Sequence, residues 1–164
     1  AIITDTGGFR YQNTSSKTFR IMADLSSIGV DTYLINRSVY GNTSFEHLRL
    51  KGLVLSNIQL TGKGKIAYLV IRQSMLDETG AELNSVSGLV KYARDLKGVE
   101  VGLAFFEADN HETRISFRSN EYCSVNEIAG EYGGGGHARA AGCTIKKSLD
   151  EVLKPVINKV KEYV

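Results

Sequence analysis

Gly133-Gly134-Gly135-Gly136-His137-Ala138-Arg139-Ala140-Ala141-Gly142-Cys143 joins four consecutive glycines to a histidine and a run of small residues. Glycine surrenders more backbone freedom on folding than any other residue, so four in a row call for an interaction that offsets the loss. Without Cβ atoms, backbone N–H groups can converge on an oxyanion and a ligand can come close to the main chain, as in other phosphate loops. His137 adds a side chain whose protonated form a nearby phosphate favours. A helix-ending linker is the plainer alternative, but one or two glycines would serve that purpose, and the small residues that follow suit close packing.

Outward from this stretch the chain alternates strand and helix signals. Ser124 and Glu127 have capping-box spacing, and Val125, Ile128, Ala129 and Tyr132 repeat on one face of a helix that must stop at the glycines. Before it, Arg114-Ile115-Ser116-Phe117-Arg118-Ser119 alternates. Ile115 and Phe117 therefore face a core while Arg114, Ser116 and Arg118 share the opposite face. Arg118 directly precedes the helix leading to the glycines, and a guanidinium suits bidentate phosphate contact. Arg114 and Arg139 read rather as solvated arginines, and Asn126 stands evenly between ligand contact and first-turn helix residue.

Residues 99–108 form an apolar strand, joined to the alternating one by a turn at Asp109-Asn110-His111. Residues 67–72 read as another strand, and Val86, Leu89, Val90, Ala93 and Leu96 fall at helical spacing before Gly98. Beyond the glycines, Cys143-Thr144-Ile145 is a short strand. Ser148 and Glu151 then form a second capping box for a helix carrying Val152, Val156 and Val160. Pro155 is expected to kink or split that helix, at about 3 kcal/mol if unrelieved. The order β-α-β-β-α-β-α predicts an α/β unit with a mixed sheet over residues 61–164.

The polar, glycine-bearing residues 61–65 mark the break from residues 1–60. There, Ala1-Ile2-Ile3 reads as a short strand with Asp5 at its carboxyl end, the edge where α/β sheets bind ligands. Phe19, Met22 and Ala23 suit a helix over residues 15–28 ended by Gly29, Asp31 can cap a second helix, and a third begins near Ser44. The Tyr and Phe side chains are expected mostly in the core. The chain opens without Met, as though a strand were entered partway, which is the pattern of a fragment.

Apolar residues make up 42% and charged residues 23% of the chain, the balance of a folded globular protein. A net charge of +2 is too small for nucleic-acid binding by field alone, so an anionic partner must be recognised locally. Cys123 and Cys143 have neither disulfide nor zinc spacing and point to a reducing compartment. No stretch approaches a membrane span or a secretory leader, which makes the cytoplasm the expected location.

The string GGGGHARAAGC, preceded by a strand ending SFRS and the helix VNEIAGEY, resembles the signature of the C-terminal domain attached to DHH-family phosphoesterases. That family is named for an Asp-His-His motif and includes RecJ-like exonucleases, bacterial oligoribonuclease/pAp phosphatases and cyclic di-AMP phosphodiesterases. Residues 4–14, TDTGGFRYQNT, are similar to the last metal-binding motif of the DHH domain itself, and Phe9-Arg10-Tyr11 looks closest to the oligoribonuclease/pAp phosphatase branch.

The resemblance implies that residues 1–60 are the end of a DHH catalytic domain with its linker helix, and that residues 61–164 are the substrate-binding domain. It gives Asp5 to a manganese pair (Mn2+), in which hard donors hold divalent cations that generate a hydroxide nucleophile. It gives Gly133, Gly134, Gly135, Gly136 and His137 to a substrate phosphate, and Arg118 to a phosphate or base edge. The family's Asp-x-Asp and Asp-His-His motifs have no counterpart here: His47 lies in His-Leu-Arg and His111 in His-Glu-Thr. No catalytic residue is therefore assigned to the chain. The implied substrate is a short oligonucleotide or pAp-like nucleotide, and pairing with a second copy stays open. The rival readings are a non-catalytic nucleic-acid-binding module, as attached to alanyl-tRNA synthetases, and a cyclic dinucleotide phosphodiesterase.

Overall fold

The computed structural model describes residues 1–82, 86, 88–108 and 111–164. The chain divides into two compact units, Ala1–Ser44 and Phe45–Val164.

In the first unit the expected opening strand is a helical turn, α1 (Ile2–Asp5). A strand needs a partner to satisfy its backbone groups, and all the described strands lie in the other unit. The turn bonds locally instead: the Asp5 N–H donates to Ala1 O at 2.9 Å and the Thr6 hydroxyl to Ile2 O at 2.7 Å. Helices α2 (Ser16–Ser27) and α3 (Thr32–Tyr40) follow. Asp31 caps α3 as its sequence suggests, accepting from the Leu34 N–H at 2.9 Å. Neither helix has a fully buried residue, and Phe19, Tyr33, Leu34 and Tyr40 are exposed. The expectation of core positions for the aromatic residues therefore fails in this unit, because no second layer covers these helices within it.

The second unit begins with α4 (Phe45–Ser56), so the helix expected to lead out of the first part packs with the second. Its sheet comprises β1 (Gln59–Thr61), β2 (Ile66–Ile71), β3 (Val101–Ala108), β4 (Glu112–Ser119), β5 (Gly135–His137) and β6 (Ala140–Ile145). The strand order is β1-β2-β3-β4-β6-β5, with β2 and β3 parallel and the other neighbours antiparallel. The mixed sheet is as expected. Strands β1 and β5 are additions, three residues each and too short to show a period. Asp109 and Asn110, read as a turn, lie outside the described residues.

Strand alternation divides the core into two layers. Leu103, Phe105, Ile115 and Phe117 face α7 (Val125–Glu131) and α8 (Leu149–Lys161). On the other face Leu69, Ile71 and Phe106 meet α4, α5 (Gln73–Thr79) and α6 (Val90–Arg94). Helix α5 was not anticipated, and α6 is shorter than the spacing of Val86 to Leu96 suggested. Helix α8 runs through Pro155 unbroken. Pro155 lies on the exposed side, where water can satisfy the carbonyl that loses its partner. Its start is the expected capping box, with the Glu151 carboxylate accepting from the Ser148 N–H at 3.1 Å. The box expected at Ser124 and Glu127 is absent: the Ser124 side chain makes no capping bond to α7.

Two features of this core lead to expected outcomes. A Cβ at Gly102 would stand 2.4 Å from the Arg94 backbone nitrogen, where α6 touches β3. Gly102→Ala should therefore destabilise the protein by about 1–3 kcal/mol in urea unfolding. Burial pushes both thiols up to about 11, with Glu100 adding to the effect at Cys123. Neither cysteine of the folded protein should react with Ellman's reagent at neutral pH, and both should react once urea unfolds it.

Candidate functional site

The four glycines play four different parts, and only part of the run is a loop. Gly133 ends α7 in the left-handed region, with φ +72°. Its N–H donates to Gly130 O at 3.0 Å while the Gly134 N–H donates to Ala129 O at 2.9 Å, the two bonds of a Schellman motif. Gly134 also lies against β6: a Cβ there would be 2.2 Å from Gly142 O. Gly136, with φ +149°, would place its Cβ 2.4 Å from Ala140 O. These three are required by the fold itself. Gly135 is not, since its Cβ would meet only Asn126 Oδ1, at 3.9 Å. The expectation of a continuous phosphate loop is thus corrected: residues 135–137 form strand β5, paired with β6 around a two-residue turn at Ala138-Arg139.

Strand pairing brings the expected site residues into register. Arg118 of β4 is opposite Ala140 of β6, and Ala140 is opposite His137 of β5. Directly paired residues project from the same sheet face, so Arg118 and His137 straddle the small Ala140 methyl. Two strand spacings separate their backbones by about 10 Å, a gap the long arginine side chain can reduce. The face continues with Ser116 opposite Gly142 and Arg114 opposite Thr144. Arg114, Ser116, Thr144 and His137 are exposed and Arg118 is half-buried, while the opposite face of β4 is buried. Arg118 also donates to its own strand, from Nη1 to Phe117 O at 2.8 Å. The result is a sheet face with a floor of Gly135, Ala140 and Gly142 and a cationic side.

Beside it, residues 119–124 are held from two sides. Glu100, only 3% exposed, accepts from the N–H groups of Glu121, Tyr122 and Cys123 at 2.8–3.2 Å. Three successive amides thus close on a carboxylate of the same chain, a nest occupied from within. From the other side Arg139 donates to Cys123 O at 2.7 Å and to Glu121 O. Arg139 is exposed, as expected, and it also braces this segment. Glu100 escaped the sequence reading, although a lone carboxylate inside the apolar run of residues 99–106 is a signal that could have found it.

Asp5 lies on the first unit, exposed, with its carbonyl accepting from Asn13 Nδ2 at 3.0 Å. Among the described residues no three His, Cys, Asp or Glu side chains gather to hold a metal ion. A lone carboxylate does not by itself hold a two-manganese centre.

Residues 63–164 match the family model of the DHHA1 domain, and the chain belongs to that family. The resemblance carried by the glycine signature is borne out. The chain is 34% identical, over 98% of its length, to the bifunctional oligoribonuclease and PAP phosphatase NrnA of Thermus thermophilus. It is 28% identical, over 99% of its length, to the Bacillus subtilis protein of the same name. A crystal structure of an exopolyphosphatase-related protein from Bacteroides fragilis matches with a TM-score of 0.91 at 29% identity, covering 99% of this chain and 47% of that one. The chain spans about half the length of these curated relatives, 48% and 51% respectively. None of its described helices is long and apolar enough to cross a membrane.

The division of labour among the glycines can be checked by stability alone. Gly134→Ala, forced against the Gly142 carbonyl, should lower unfolding free energy by about 1–3 kcal/mol. Gly135→Ala, whose Cβ would meet only Asn126 Oδ1 at an ordinary 3.9 Å, should stay within about 0.5 kcal/mol of the parent in the same urea titration.

Proposed function

We propose that the second unit grips the phosphate of a short oligonucleotide or pAp-like nucleotide (pAp is adenosine 3′,5′-bisphosphate), as the substrate-holding part of a DHH-family phosphoesterase. The observation that carries this reading is the row Arg118–Ala140–His137, which sets a guanidinium and an imidazole on one open sheet face beside the sterically unneeded Gly135. A phosphate held there would accept charge-assisted hydrogen bonds from Arg118 and His137 and approach the backbone at Gly135, where no Cβ stands in the way. The activities named for the Thermus and Bacillus relatives, oligoribonuclease and PAP phosphatase, support the same substrate class.

Hydrolysis belongs to this proposal only for a protein of the relatives' full length. There Asp5 would give one ligand to a manganese pair, which would supply an activated hydroxide, and the other ligands would come from outside this chain. This chain's own part is to bind and orient the phosphate.

His137→Ala or Arg118→Ala should weaken pAp binding at least tenfold in titration calorimetry, equivalent to about 1.4 kcal/mol. Arg114→Ala, two residues along the same face, should have the smaller effect. Unchanged affinity in both His137→Ala and Arg118→Ala would sink the assignment.

A further inference from the structure

We propose that Tyr122 is a stacking platform for the base of the bound nucleotide and so sets a preference for base-bearing over base-free phosphates. The inference rests on the phosphate reading above. Among the described residues of the family-matched region, Tyr122 is the exposed large hydrophobic side chain, at 54%. The backbone that carries it is held by side chains on both sides. Its N–H is held by the buried Glu100 carboxylate at 2.9 Å, and Glu100 also holds the amides before and after it. The carbonyls of Glu121 and Cys123 are held by Arg139, and Cys123 O also accepts from the Ser119 hydroxyl at 2.6 Å.

The segment is tied directly to the glycine hairpin. The Ser119 N–H donates to Arg139 O at 3.2 Å, and the Val125 N–H donates at 2.9 Å to the carbonyl of Ala138, the residue after His137. Tyr122 is thus fixed on the rim beside the hairpin turn. Its hydroxyl has no hydrogen-bond partner and its ring joins no aromatic or cationic pair among the described residues. An exposed, unpartnered ring on a segment braced at its backbone and bonded to the hairpin turn suits the flat face of a nucleobase, and stacking tolerates any base because each has a π face.

The chain contains no tryptophan, so Tyr122→Trp makes a single-tryptophan reporter of this position. Titrated with pAp, its fluorescence should be quenched, whereas ribose 3,5-bisphosphate, which lacks the base, should bind with little change. In calorimetry, Tyr122→Ala should weaken pAp at least fivefold, Tyr122→Phe should retain parental affinity, and neither should alter affinity for ribose 3,5-bisphosphate. Equal affinity of Tyr122→Ala and the parent for pAp overturns the stacking role and leaves the phosphate grip standing. Equal weakening of both ligands in Tyr122→Ala also overturns it, since the base would not be what Tyr122 reads. Failure of the parent chain to bind either ligand overturns the phosphate reading, and this inference with it.

Discussion

The buried carboxylate of Glu100 is the point on which the arrangement around the glycine hairpin depends. A charge taken from water is tolerated only when its lone pairs are filled, and here the amides of residues 121–123 fill them. That requirement fixes the path of the chain between β4 and α7. Arg139 then secures the carbonyls of the same segment, and the Val125 N–H joins the start of α7 to the hairpin turn. The glycine strand is therefore positioned by a polar network as much as by apolar packing.

Within that frame the glycine run solves two problems at once. Gly133 turns the chain out of α7, while Gly134 and Gly136 let β5 lie against β6 at distances no side chain would permit. What remains is Gly135, whose missing Cβ the fold does not need. Antiparallel pairing adds the rest, because it places Arg118 and His137 in one row although 19 positions separate their numbers (137 − 118 = 19). The small residues between them keep the face low enough for a ligand to lie across it.

The first unit has a different character. Its helices α2 and α3 are capped and amphipathic but bury none of their own residues completely, and Asp5 sits exposed at the end of a local turn. Local signals suffice to wind such helices, since capping and spacing act within a few residues. They do not supply a second layer, and they do not gather metal ligands around one carboxylate.

Sequence by itself determined the pieces whose causes are local. The alternation of residues 114–119, the Asp31 cap and the Ser148–Glu151 box each lie within one element and appear as expected. The glycine signature likewise identified the family. Tertiary structure decided what depends on residues distant along the chain. It made Ala1-Ile2-Ile3 part of a helical turn for want of a pairing strand, carried α8 through Pro155 on its wet side, and turned half of an expected loop into β5. It alone turned Glu100 into an anchor and Arg139 into a brace. The physical reason is that a helix cap is satisfied within a turn of its own residue, whereas a buried carboxylate, a strand register and a backbone contact each need a partner that only the folded chain delivers.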